Sequence, residues 1–295
     1  MTGRRDFLRQ TSGLLLLGGL GSAAGIGCSG GGTPAPPLLI PPTLPDVPPA
    51  PTPASPTAGQ EWTNPKDGSV LIWVPGGTFQ MGTNEELIGN AFEGKGSQPI
   101  HTVTLSGFWM GKYEVTIGQF NRYAAEVGLT NHPLKDFYIS EGYKDNYPVG
   151  GNWVLAMDYA NWAGLTLPTE AQWEYAATGG DGRRYPWGNE WDPTRCRSDA
   201  SAENRRPAEV GSFPAGVSPF GMYDMAGNAW EWCRDWRARY PSEPQTDPVV
   251  TQISPSKMMR GGGHGSLPHQ CHCAYRAINE IYSGSASIGF RLASR

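Results

Sequence analysis

The sequence predicts a loop-rich α+β domain with little regular secondary structure, preceded by an export segment and a linker. Three observations carry that prediction. Of 295 residues, 40 are glycine and 27 proline, while 17% are charged, a balance that favours irregular chain over helix. Short apolar runs bounded by Gly and Pro are followed by three amphipathic segments of helical period. Two long stretches, Asp181 to Pro219 and Ala238 to Ser256, show no period. Loops of that length inside a compact domain need internal support, which bound ions often supply.

The chain opens with Arg4-Arg5 ahead of the uncharged run Leu14 to Ile26, the pattern of a twin-arginine signal peptide over residues 1–28. That run is too short to span a bilayer comfortably as a mature helix. Cys28 follows small residues, which predicts lipoprotein cleavage before it and acylation of its thiol. The alternative is ordinary cleavage nearby, since Gly25 stands where a leucine is typical. Residues 29–60 are rich in Pro, Ala, Thr and Gly and read as an extended, disordered spacer. The expected location is the periplasm or cell envelope, with membrane contact only through the lipid. A net charge of −4 without a basic block speaks against nucleic acid as a partner. Five cysteines are too few, and odd in number, for a disulfide scaffold.

Within 61–295, Val70–Val74 is a buried strand, and Pro75-Gly76-Gly77 predicts a hairpin that pairs Thr78–Met81 back onto it. His101–Leu105 alternates as a strand that Phe108–Met110 continues, with His101 at its edge. Thr116 with Gln119, and Thr169 with Gln172, form capping boxes that start two helices. Trp153–Ala163 is a third helix, and Gly179-Gly180 stops the last one. Glu170 and Glu174 fall in the first turns of that helix, where the dipole favours acids, and read as structural.

The densest stretch is Gly221 to Trp236. Trp230 and Trp232 alternate around Glu231 as on a strand, and Gly227-Asn228 supplies a turn. Buried rings beside Asp224 and Glu231 require a cation for those carboxylates. Arg234 or Arg276, a main-chain N–H array, or a metal ion could provide it.

Several segments in one order resemble the formylglycine-generating enzyme, or sulfatase-modifying factor, family. They are Val74–Gly82, Lys112–Thr116, Leu167–Ala176, Tyr185–Asn189, Gly227–Trp232, Arg260–Gly262 and Ile288–Arg291. The resemblance implies a formylglycine-generating-enzyme fold with a C-type-lectin-like core and structural calcium. It assigns one calcium to the Asp224 side chain and the carbonyls of Met225, Gly227 and Ala229. A second calcium site would need an asparagine where Arg197 stands, unless Asp199 or Glu203 reshapes it. Active members oxidise a cysteine of an exported sulfatase to formylglycine with oxygen and a copper ion held by two cysteines. Here the matching catalytic position retained is Cys271, while Ser266 stands at the first cysteine position and Gly263 at a serine position. One thiolate and a hydroxyl are a poor Cu(I) pair, so standard cysteine-to-formylglycine oxidation is not expected.

The same segment gathers His264, His269, Cys271 and Cys273, which could converge on a soft metal ion, though the spacing matches no standard zinc motif. Cys196 and Cys233 are either a disulfide or two buried thiols. The expected function is that of a divergent modifying factor or accessory acting on an exported protein client. If it is an enzyme, it is a copper- and oxygen-dependent oxidoreductase. The alternative is a non-catalytic, C-type-lectin-like module that binds a protein or glycan ligand at the envelope. In some retroelement-diversified display proteins of this fold class, the variable positions lie just before a C-terminal Gly-Phe-Arg, like that of Gly289-Phe290-Arg291.

Overall fold

The computed structural model describes residues 50, 52–89, 96–129, 135–199 and 206–294. The signal segment, Cys28 and Glu203 lie outside them. In chain order come β1 (Glu61–Thr63), β2 (Val70–Val74), β3 (Gly77–Met81), β4 (His101–Leu105) and β5 (Phe108–Gly111). The helices α1 (Ile117–Glu126), α2 (Lys135–Ser140), α3 (Trp153–Trp162) and α4 (Glu170–Thr178) follow. The chain then forms β6 (Trp230–Trp236), β7 (Gln245–Thr246), β8 (Lys257–Arg260), β9 (Ala277–Asn279) and β10 (Ile288–Gly289). These strands make three small sheets, ordered β1-β2-β5, β3-β4-β7 and β10-β6-β8-β9. Among the described residues no helix is long and apolar enough to cross a membrane.

Local sequence rules account for the helices. Thr116 and Thr169 each accept the N–H three residues on, and Gln119 and Gln172 return the bond, so both capping boxes form. Asn152 caps α3, and Gly179 ends α4 with φ of 69°. The short α2 has no counterpart among the predicted helices.

Strand pairing departs from the local reading. β2 and β3 do not form a hairpin: β2 pairs antiparallel with β1 and β5, and β3 with β4. The glycines at the crossing explain the difference. A Cβ on Gly76 would lie 2.7 Å from the Leu105 carbonyl, and one on Gly77 2.2 Å from the Tyr175 hydroxyl. Both therefore serve close approach between layers rather than a two-residue hairpin turn. Likewise β4 and β5 are not one strand, because the chain changes sheets at Ser106-Gly107.

The core has two main parts. Phe120 and Tyr123 of α1 pack against Tyr159 of α3, together with Trp109, Trp232 and Phe290. Trp173, Ala176 and Ala177 of α4 pack with Phe79, Met81, Val103 and Leu105. α4 thus lies against two of the sheets, and its polar face meets the segment that follows β8.

Candidate functional site

Buried ion pairs frame the region from Gly221 to Arg291. Arg291 meets both oxygens of Glu231, each at 2.6 Å, and both side chains are fully buried. Trp173 Nε1 donates to the same carboxylate at 2.8 Å. Arg291 also donates to the carbonyls of Gly111 and Tyr223. The partner of Glu231 is therefore neither Arg234, which is exposed, nor Arg276. Sequence spacing could not find it, because Arg291 arrives from the far end of the chain.

Arg276 pairs instead with a carboxylate of α4. Its Nε and Nη2 bond Glu170 at 2.9 and 2.6 Å, and its Nη1 holds the Gly96 carbonyl. Arg260 pairs with Glu174 and reaches Glu170 at 3.3 Å, while its Nη2 donates to the Cys273 carbonyl. Burial tends to raise the Glu170 pKa, but the two guanidiniums win and hold it below the ordinary value. Glu170 and Glu174 are structural, as read, but through these arginines rather than the helix dipole alone.

Around the loop 224–229 the charges do not balance. Glu114 accepts from the Ala229 N–H at 2.9 Å and from Asn228 Nδ2 at 2.6 Å. Asp224 accepts from the Gly211 N–H at 2.7 Å and takes φ of 58°. Burial, then the charges of Asp224 and Glu231, pushes Glu114 well above the usual carboxylate range. Burial pushes Asp224 up to about 6. Arg291 is the cation that acts on both groups and on Glu231, so three carboxylates face one guanidinium, a formal excess of two negative charges. Glu114 lies in the Lys112–Thr116 segment, but nothing in its spacing signalled this role.

That surplus fits a hard cation with oxygen ligands. The residues that would hold calcium are the Asp224 side chain and the carbonyls of Met225, Gly227 and Ala229. Its charge would offset the buried acids. Arg197 plays a different part here: its carbonyl accepts from the Asn228 N–H at 2.7 Å, and its Nε donates to the Arg206 carbonyl. A Cβ on Gly227 would come within 2.2 Å of the Arg197 carbonyl, and Gly227 has φ of 79°. The two segments consequently require glycine at that position.

A pH prediction follows from Asp224. Its folded pKa of about 6 lies above the unfolded value, taken as 3.8, so the native state binds more protons between the two. The stability from this group is full below the unfolded pKa and is lost as pH rises through about 6. A cation on the ionised carboxylate reverses that loss. Calcium at a hundredfold excess over Kd is expected to stabilise the protein by about 2.7 kcal/mol. The resulting rise in Tm should be larger at pH 8 than at pH 5 and absent in Asp224→Ala, as read by calorimetry with and without chelator. An equal rise in that variant would move calcium elsewhere.

The segment after Arg260 holds the remaining predicted residues. Ser266 Oγ accepts from the Gly263 N–H at 2.8 Å and closes a tight turn. It is a turn lock, and a hydroxyl so engaged does not fit copper as a second soft ligand. His264 directs its N–H and Nδ1 at the Asn228 carbonyl. The His269 ring faces Tyr275. Cys271 and Cys273 point into different cores. Cys271 is clustered with Tyr185, Cys196 and Ala226, whereas Cys273 joins the core of α4 with Cys233. Among the described residues no three His, Cys, Asp or Glu side chains come together as a metal-holding group. None of the four described cysteines is in a disulfide, all four are buried, and Cys196 neighbours Cys271 rather than Cys233. Adjacent His272 is buried, its Nε2 makes no hydrogen bond and lies 3.9 Å from the Glu85 carboxylate, and burial pushes it down to about 4.

Over the Cys196–Cys271 pair lies an aromatic rim. Tyr185 stacks on Trp187 with centroids 5.4 Å apart and meets Trp191 edge-on at 5.1 Å. Trp187 and Trp191 are half-buried, so they present ring area to solvent. A separate cavity of about 560 Å³ between α1 and α2 holds none of the residues predicted for the site.

The family model for the sulfatase-modifying factor enzyme 1-like domain matches residues 57–295. The chain belongs to the sulfatase-modifying factor family. Among relatives of this sulfatase-modifying factor domain, the formylglycine-generating enzyme of Streptomyces coelicolor is 32% identical, covering 83% of this chain and 95% of its own. The serine/threonine-protein kinase Pkn1 of Chlamydia trachomatis is 34% identical over 76% of this chain. The chain spans 38% of that kinase's length. PvdO from Pseudomonas aeruginosa superposes with a TM-score of 0.64 at 24% identity, covering 81% of this chain and 99% of its own. The sulfatase-modifying factor fold, with its loop-rich α+β architecture and lectin-like core, is thus established for this chain. Its Arg260–Gly262 and Ile288–Arg291 segments carry the buried arginines that brace the site.

Proposed function

We propose that this protein is a divergent modifying factor or accessory that engages an exported polypeptide client at the aromatic rim over Cys271. Ordinary formylglycine formation is not part of this reading. The observation that carries it is the position of Cys271: it is kept in the family's cysteine place, beneath Tyr185, Trp187 and Trp191, while residue 266 is a serine locked into a turn. Aromatic rings that are half-exposed and mutually stacked suit capture of an extended peptide, because they bury area at little conformational cost. Export through the Arg4-Arg5 signal and acylation of Cys28 would place that rim at the envelope, on the 29–60 spacer.

The test is capture of clients from an envelope extract by photo-crosslinking from the rim. Wild-type protein should capture a polypeptide, and Trp187→Ala should weaken capture about tenfold or more, on the scale of an interface anchor. Incubation with a sulfatase-derived cysteine peptide, oxygen and copper should yield no aldehyde above background. Aldehyde at stoichiometric yield would restore ordinary oxidation. Capture of a glycan with no polypeptide would replace this reading with that of a ligand-binding module.

A further inference from the structure

We propose that the cavity between α1 and α2 is the docking site for the chain's own proline-rich segment, residues 40–49, bound as an extended polyproline helix. The inference goes beyond the client reading and does not depend on it.

The receptor side is apolar and aromatic. The cavity, about 560 Å³, is of the size that ligand-binding clefts have. Phe120 of α1 and Leu129 just after it line one part, and Tyr138 and Ile139 of α2 with Tyr143 line another. Tyr143 is the centre of a ring cluster, its centroid 5.7 Å from Phe137, 5.6 Å from Tyr138 and 5.3 Å from Tyr147. Tyr143 is half-buried, while Phe137, Val127 and Ile139 are exposed, Ile139 by 69%. Apolar area left in water in this way marks a contact surface. Aromatic-lined grooves are recurring receptors for proline-rich segments, because such a ligand is already extended and loses little entropy on binding. A polyproline helix also leaves its main-chain groups unbonded, and the exposed Asn121 amide on the cavity lip offers them both a donor and an acceptor.

The occupant is set by sequence and by reach. Residues 40–49 lie outside the described residues, and they read Ile-Pro-Pro-Thr-Leu-Pro-Asp-Val-Pro-Pro. A polyproline helix has three residues per turn. Pro42, Pro45 and Pro48 therefore fall on one face, Pro41, Leu44 and Val47 on the next, and Thr43 and Asp46 on the third. Two faces are apolar and need cover. The third turns to solvent, because Asp46 has the sign of Asp145 on the cavity lip. The segment ends beside α1. The Ala50 N–H donates to the Gly164 carbonyl at 2.9 Å, two residues beyond the end of α3. The last residue of α3, Trp162, meets Tyr123 of α1 with centroids 5.3 Å apart. The cavity takes another face of α1, so the distance to cross is about one helix diameter, roughly 10–12 Å. Residues 42–49 span about 25 Å at about 3.1 Å per residue, which is ample. A tether this short holds the segment near its site at roughly millimolar effective concentration, so even weak intrinsic affinity fills the cavity.

The experiment places a photo-crosslinking phenylalanine analogue at exposed position 139 of the full-length protein. Irradiation should join it to a peptide from residues 40–49, identified by mass spectrometry. Mixing light and heavy isotope-labelled protein should show that the link lies within one chain. Leu44→Asp combined with Val47→Asp should cut the yield about tenfold or more, the scale of losing interface anchors. Asp46→Ala, on the solvent face, should leave it within about twofold. Tyr143→Ala should cut it as the spacer variant does. If Tyr143→Ala fails to fold, amide hydrogen exchange of the wild type against the spacer variant decides. The amides of Leu129 and Tyr143 should exchange several-fold faster in that variant, while those of β6 and β8 keep their rates. No link to residues 40–49, a link found only between differently labelled chains, or an undiminished yield in the spacer variant overturns the proposal. Loss of client capture with this link intact overturns the client reading alone.

Discussion

Replacing Arg291 with alanine is expected to destabilise the domain by about 3–5 kcal/mol, the range for removing one partner of a buried ion pair. Arg291 is fully buried against Glu231 and also serves the Gly111 and Tyr223 carbonyls. Its loss leaves Glu231, Glu114 and Asp224 without their shared guanidinium, and neither Trp173 Nε1 nor the main chain can supply the missing charge. For a domain of this size each kcal/mol moves Tm by roughly 2–4 °C, so the fall should be on the order of 10 °C. Calorimetry of Arg291→Ala checks it. Arg291→Met with Glu231→Gln should recover part of the loss, because the stranded charge goes while Trp173 and the carbonyls stay under-bonded. Calcium should stabilise Arg291→Ala more than the wild type, since the site is then more negative. A fall of Tm within error would mean that the pair contributes nothing and that packing alone holds the C-terminal segment.

Glu170→Ala is expected to have the second largest effect, again about 3–5 kcal/mol. The carboxylate takes both nitrogens of Arg276 and shares Arg260 with Glu174. Removing it leaves the buried Arg276 charge without its carboxylate, against the Gly96 and Ala238 carbonyls and the Tyr240 ring. The sign with pH is set by the lowered folded pKa of Glu170. Its contribution is present above the unfolded carboxylate value and lost as pH falls through the folded one. The gap in Tm between wild type and Glu170→Ala should therefore be widest near neutrality and narrow in acid. Asp192→Asn, in an exposed pair with Arg195, serves as the control and should leave Tm unchanged within error.

The two networks explain why the site could be read only in part. Thr116, Thr169 and Gly179 announce their helices because a cap is a contract between residues three or four apart. Trp230, Glu231 and Trp232 announce a strand for a similar reason. The strand does not announce that both of its faces are covered, as Glu231 and Trp232 show by both being fully buried. The Pro75-Gly76-Gly77 turn marks a change of direction, yet its edge belongs to β4, a choice made by Leu105 and Tyr175 from elsewhere in the chain.

The sequence alone determined the helix starts and stops, the positive-φ turn at Gly227-Asn228 and the family. Those features are local or collinear, so they survive without coordinates. Tertiary structure alone decided that Arg291 neutralises Glu231, that Glu170 and Glu174 hold Arg260 and Arg276, and that Glu114 joins the acids beneath the 224–229 loop. It also decided that Cys196 neighbours Cys271 and not Cys233. The physical reason is common to all four. In a loop-rich domain, partners for buried charges and thiols are delivered by segments far apart in the chain, and the cost of leaving such groups unpaired, rather than any sequence period, selects which ones meet.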